Sequence, residues 1–252
     1  MSDALAITGL CKNFGALAVS SNISLTLKVG ARTALIGPNG AGKTTLINMI
    51  TGALDPSSGS IAYFGKDITK VPQAQRARDG LLRTFQVTRV FRPLTVADNI
   101  RLAVIQQRGF AMRFFLDVAR DPDINQQVGE ALAMLELEPL ADRRIEELAY
   151  GERRLVELAL ALAGKPKVLL LDEPAAGVPK SESSIIMRAI ARLPADLAIL
   201  FIEHDMDLVF RFASEIVVLV AGEIMMVGTP AEVSADERVK EIYFGKRHNA
   251  IA

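Results

Sequence analysis

A chain of 252 residues, half of them hydrophobic, can bury a full core and suits one α/β domain that carries an insertion. Lysine plus arginine equals aspartate plus glutamate at 29 each, so no overall field draws in nucleic acid, and nucleic acid is set aside as a partner. The single Cys11 rules out an internal disulfide, Met1 to Ala4 lacks the basic and apolar regions of a secretory signal, and no apolar run approaches the roughly 20 residues that span a bilayer, so a cytoplasmic chain is expected.

The first 30 residues fit antiparallel strands. Thr33 to Ile36 is a short apolar run of the buried parallel-strand kind, and Thr45 to Ile50 reads as helix. Between them Gly37-Pro38-Asn39-Gly40-Ala41-Gly42-Lys43-Thr44 matches G-x-x-x-x-G-K-[ST], a phosphate-binding loop in its required strand-to-helix context. Glycines let the backbone curl so that successive N–H groups point inward, and the following helix adds its positive end. Lys43 then reaches the β- and γ-phosphates, and the Thr44 hydroxyl can ligate Mg²⁺. The glycines run G-x-x-G-x-G, which is not the dinucleotide fingerprint G-x-G-x-x-G.

From Gln86 to Gly164 the strand signal vanishes and helical patterns take over, including Ile124 to Leu137 and Glu152 to Ala163, with Thr95-Val96-Ala97-Asp98 resembling a capping box before the first helix. Val168 to Leu171 is a second buried strand and runs straight into Asp172 and Glu173. A carboxylate at that strand tip can hold Mg²⁺ through water, and one residue further a second can polarise the water that attacks a γ-phosphate. Ala198 to Glu203 and Ile216 to Val220 complete the buried strands, Gly222 and Gly228-Thr229-Pro230 mark turns, and Val239, Ile242 and Tyr243 pack a short tail back onto the body.

This alternation predicts an α/β fold: a mostly parallel sheet covered by helices, with ligand loops at the carboxyl ends of the strands, N-terminal antiparallel strands and an inserted helical subdomain. The expected single domain has a core at about 1–85 and 164–230, a helical insertion at about 86–163 and a tail at 231–252.

With the phosphate loop and the paired carboxylates in place, the sequence resembles the ATP-binding cassette family of P-loop NTPases, the soluble subunits that drive membrane transporters, over nearly its whole length. The resemblance implies an ATPase that binds ATP and Mg²⁺. It gives Gln86, in Arg83-Thr84-Phe85-Gln86, a place near Mg²⁺ and the attacking water, and His204, after an apolar strand, a contact with the γ-phosphate. Glu173 and Lys43 complete the catalytic set, and Thr44, Gln86 and Asp172 the metal set. Phe14 is placed to stack on adenine, while Gly37, Pro38, Asn39, Gly40, Ala41, Gly42, Lys43, Thr44 and Thr45 hold the phosphates.

The family signature L-S-G-G-Q stands here as Leu148-Ala149-Tyr150-Gly151-Glu152, and the resemblance puts Gly151 and Glu152 at the nucleotide of a second cassette, homologous or identical. Ala149 lacks the usual hydroxyl, a loss of about 1.5–3 kcal/mol for a bond to a charged group. Ala175-Ala176-Gly177-Val178-Pro179-Lys180 resembles A-A-G-L-N-P-K with one residue missing, the one that relays between the two ATP sites. Val90, Phe91 and Leu94 either line the groove that receives a helix of a transmembrane permease subunit or pack the insertion's own core.

Among importers, these motifs and the terminal Ile242-Tyr243-Phe244-Gly245 look most like those for branched-chain amino acids and their amide or urea relatives, served indirectly by a solute-binding protein from a position on the cytoplasmic face of the membrane. A soluble iron–sulfur assembly ATPase of the same fold is the alternative, separated by the surface after Gln86. A P-loop kinase would need an acceptor site and lid but no signature helix.

Overall fold

The computed structural model describes residues 2–84, 90–108 and 121–244. Its strands and helices run β1 (Asp3–Phe14), β2 (Leu17–Lys28), β3 (Arg32–Ile36), α1 (Lys43–Thr51), β4 (Ser58–Tyr63), β5 (Lys66–Asp67), α2 (Gln73–Arg78), β6 (Leu81–Thr84), α3 (Val96–Gln107), α4 (Pro122–Met134) and α5 (Tyr150–Ala163). They continue with β7 (Val168–Asp172), α6 (Lys180–Ala191), β8 (Ala198–Ile202), α7 (Met206–Phe212), β9 (Glu215–Val220), β10 (Glu223–Gly228), α8 (Pro230–Ala235) and α9 (Glu237–Phe244). The elements group into two compact units, one formed by the chain up to Arg76 together with the chain from Ala198 onward, the other by Ala77–Leu197.

In the first unit, β1 pairs antiparallel with β2 (Ile7 opposite Leu25), as expected of the first 30 residues, and also with β4 (Ile7 opposite Ile61). A second set of strands has β3 between β8 and β9, both parallel to it. Every residue of β8 and all but the first of β3 are buried, which is why these strands read as unbroken apolar runs instead of alternating ones. Antiparallel β10 folds onto β9 through Ala221 and Gly222, whose φ values of 49° and 83° match the turn that suits the strands' right-handed twist.

The strands β4, β5 and β10 were not anticipated from the sequence. β5 has two exposed residues, and every residue of β10 is at least partly exposed, so neither carries a continuous apolar run. The turn read at Gly228-Thr229-Pro230 is instead the end of β10 and the start of α8, where Thr229 is the N-cap and accepts from the Glu232 amide.

In the second unit, β6 and β7 pair in parallel, Thr84 opposite Leu171, and α3, α4 and α5 pack through buried Ile100, Val104, Val128, Leu132, Val156 and Leu158. Thr95 caps α3 by accepting from the Asp98 amide at 3.1 Å, and Asp121 caps α4 with Pro122 just inside the helix. The helix expected at Ile124 to Leu137 thus starts two residues earlier and ends at Met134, because a capping aspartate followed by proline sets its start.

Candidate nucleotide-binding site

The parallel register sets Leu35 of β3 opposite Ile202 of β8 and Val217 of β9. The segments that follow β3 and β8, Gly37–Gly42 and Glu203–His204, therefore leave the same carboxyl edge of adjacent strands, where α/β folds place ligands. The loop lies hard against β9: a Cβ on Gly37 would stand 2.1 Å from the Leu219 carbonyl oxygen, so only glycine fits. Gly40 and Gly42 have φ of 81° and 99°, a left-handed conformation open to glycine at no steric cost.

Helix α1 begins directly after Gly42 with no side chain capping it, so its first N–H groups are left to bind a ligand. Pro38, Asn39 and Gly40 are exposed, and the buried Ala41 anchors the loop through Ala41 N–H to Pro38 O (3.2 Å) and Gly222 N–H to Ala41 O (3.0 Å). Lys43 is only 8% exposed, and its ammonium donates to the Gly37 and Pro38 carbonyls at 2.6 and 3.0 Å. The amine is thus held over the loop, where a phosphate could take it from those carbonyls. Thr44 is exposed and Thr45 half-buried, so the Thr44 hydroxyl is accessible to a metal ion at the same loop.

The far end of α1 holds a residue the sequence did not reveal. Arg76, 2% exposed, donates to the carbonyls of Met49 (2.8 Å), Ile50 (2.7 Å), Val71 (2.8 Å) and Thr69 (2.9 Å). A cation at the negative end of the helix that carries Lys43 satisfies carbonyls that would otherwise be orphaned. Burial pulls the Arg76 pKa below its ordinary value, opposed by Asp55 and Asp67. In the sequence nothing separates it from Arg78, two residues on in the same polar helix.

Phe14, at the end of β1, is 51% exposed and so free to stack on a flat ligand, with the Lys12 ammonium 5.2 Å from its ring centre and bonded to the Asp55 carbonyl at 2.7 Å. His204 is exposed at the end of β8, its backbone N–H donating to the buried Glu203 carboxylate at 3.2 Å. The tail packs back as expected: Val239 is 1% exposed, and the Tyr243 hydroxyl is buried with no hydrogen-bond partner among the described residues. Burial pushes that hydroxyl's pKa above its ordinary value.

The second unit carries the carboxylates. Asp172 ends β7, and Arg83 of the neighbouring β6 donates to its Oδ2 at 2.5 Å, with both side chains nearly buried. Oδ1 has no hydrogen bond among the described residues, so the carboxylate keeps one oxygen for water or a metal ion. Glu173 follows with φ of 50°, rare for a residue with a side chain, and begins a turn closed by the Ala176 N–H on the Glu173 carbonyl at 3.0 Å. No cluster of three or more His, Cys, Asp or Glu among the described residues could hold a metal on its own. Gln86 lies outside the described residues.

Helix α5 starts at Tyr150, two residues before the expected Glu152, because Ala149 takes the extended N-cap conformation. The alanine methyl cannot accept a hydrogen bond, but Glu152 reaches back to the Ala149 N–H at 2.8 Å, the half of a capping box that survives. Gly151 is buried, and a Cβ on it would lie 2.7 Å from the Glu182 Oε2. Phe91 and Leu94 are 57% and 36% exposed, so they face solvent instead of packing a core. Their loop is tied to α3, because buried Asn99 both accepts from the Phe91 N–H at 2.8 Å and donates to the Phe91 carbonyl at 3.1 Å.

Comparison with known proteins matches two family models: ABC transporter over residues 20–176, and branched-chain amino acid ATP-binding cassette transporter over residues 224–249. The high-affinity branched-chain amino acid transport ATP-binding protein LivG of Salmonella typhimurium is 38% identical, covering 96% of this chain and 98% of its own. The protein of the same description named BraF, from Pseudomonas aeruginosa, is 35% identical over the same shares. Among solved structures, the ADP conformation of MJ1267, an ATP-binding cassette of an ABC transporter, superposes with a TM-score of 0.85 at 31% identity, covering 97% of this chain and 100% of that one.

Proposed function

Because the chain belongs to the ABC transporter family of ATP-binding cassettes, we propose that it is the ATP-hydrolysing subunit of a membrane importer for branched-chain amino acids or related amides or urea. The observation that carries the substrate class is the tail: residues 224–249 match the branched-chain cassette model, and relatives of that description align over 96% of the chain. No observation here favours the soluble iron–sulfur assembly alternative. On this reading the two compact units make up one cassette, and the exposed Phe91 and Leu94 beside the Asn99 clamp suit a groove for a permease helix.

Each residue then has a distinct task. The loop Gly37 to Thr45, through the N–H groups of its residues other than Pro38, and the Lys43 ammonium hold the β- and γ-phosphates, and Phe14 stacks on adenine. Thr44, Asp172 and Gln86 would hold Mg²⁺, which supplies charge neutralisation between those phosphates when bound. Glu173 accepts a proton from the attacking water, and His204 donates to the γ-phosphate oxygens where charge develops. Gly151, at the N-terminus of α5, faces the γ-phosphate held by a second cassette, so two chains complete two sites. The chain works at the cytoplasmic face beside its permease, while a solute-binding protein selects the cargo. No helix among the described residues is long and apolar enough to cross a membrane.

The test is to purify the chain gently from its native cells and reconstitute whatever comes with it in liposomes. Multi-span proteins that co-purify and give ATP-driven uptake of labelled leucine, isoleucine or valine support the importer. Soluble partners alone, with no uptake, overturn it.

A further inference from the structure

Helix α5 and the loop behind β7 are joined by a side chain that the tasks above leave unused. Tyr150 is the first residue of α5, and its hydroxyl donates to the Ala176 carbonyl at 3.2 Å. Arg154, one turn along, donates Nη2 to the same hydroxyl oxygen at 2.7 Å and holds its guanidinium 5.1 Å from the ring centre. Glu157 fixes that arginine in turn at 2.9 Å. The phenol oxygen therefore has its lone pair occupied by Arg154 and its proton directed at the loop.

On the loop side, the Ala176 N–H closes the turn that begins at Glu173, and Gly177 follows with φ of 74°. A Cβ on Gly177 would stand 3.1 Å from the Tyr150 hydroxyl oxygen, so the loop leaves little room for a side chain beside the phenol. One residue, Ala176, thus bonds to Glu173 through its N–H and to the signature helix through its carbonyl. A left-handed φ on a residue with a side chain, as at Glu173, persists only where the surrounding structure holds it, and Tyr150 holds Ala176 at the other end of that turn.

We propose that Tyr150 is a positioning residue for hydrolysis: its hydroxyl locks the turn that aims the Glu173 carboxylate and ties that aim to the start of α5. The inference rests on Glu173 acting on the attacking water, as proposed above. It also gives the shortened loop after Pro174 a connection of its own to the signature helix.

The test is Tyr150→Phe in the full chain, which keeps the ring and its stack on Arg154 but removes the hydroxyl. The expected result is a kcat lowered about three- to tenfold, the effect of one lost hydrogen bond, with KM for ATP unchanged. An unchanged kcat, with or without a lower Tm, overturns the inference, and so does a raised KM at constant kcat, which would make Tyr150 a binding contact. Single-turnover rates in a Glu173→Gln background separate the route: if Tyr150 acts through the carboxylate, adding Tyr150→Phe causes no further loss. A full additional drop there places its effect elsewhere and overturns the proposal. A wild-type chain that does not hydrolyse ATP overturns the reading of Glu173 and this inference together, whereas a normal wild type with an equally active Tyr150→Phe overturns this inference alone.

Discussion

Lys43 and Arg76 sit at opposite ends of one nine-residue helix and show how differently two buried cations can be legible. Lys43 is read from its neighbours, because a lysine after Gly40-Ala41-Gly42 has one chemical use. Lys43→Ala should raise the Kd for ATP about 10- to 100-fold, the loss of one or more bonds to a charged phosphate, in a binding titration; retained affinity would remove the loop from phosphate binding. Arg76 looks like any surface arginine until its four carbonyl partners are seen. Arg76→Met should lower stability by about 3 kcal/mol in denaturant unfolding, because the carbonyls at the end of α1 lose their donors in a buried setting. A change within about 0.5 kcal/mol would mean that the helix end finds other partners or water.

At the scale of elements, the apolar pattern identified β3, β7, β8 and β9, where burial on both faces leaves no polar residue to interrupt the run. It passed over β6, whose four residues include Arg83 and Thr84, since a strand that short is recognised by its partner β7 and not by its own composition. The closing helix α9 offers a pH test. Asp236 accepts from the Arg238 guanidinium at 2.8 Å and from the Arg238 and Val239 amides at 2.9 and 3.3 Å, and these bonds, the side-chain one foremost, pull its pKa down to about 2. A depressed carboxylate stabilises the folded state above its unfolded pKa and loses that contribution as pH falls through the folded one. Hydrogen exchange should therefore show α9 loosening between about pH 4 and pH 2. Asp236→Asn should be loose at neutral pH already and show no such step; an identical acid titration in that variant would clear Asp236 of the role.

For the whole molecule, the function proposed above pairs the chain with a second copy or a homologous cassette, whose γ-phosphate the N-terminus of α5 would face. Glu173→Gln should still bind ATP, lose turnover by at least a hundredfold and accumulate as an ATP-dependent dimer in size-exclusion chromatography, since binding contacts remain while the general base is gone. Normal hydrolysis by that variant would take Glu173 out of the mechanism. The sequence by itself determined the phosphate loop, the strand-end carboxylates and the α/β class, because each depends on neighbours within a few residues: backbone amides of one tight turn, or one unbroken apolar run. Only the tertiary structure decided that Arg76 closes α1 from 26 and 27 residues away, that Arg83 holds Asp172 across 89 residues, and that Tyr150 reaches Ala176 across 26. Such bonds leave no local pattern, since the partner is most often a backbone carbonyl that every residue has, and packing alone selects which carbonyl is left without a donor.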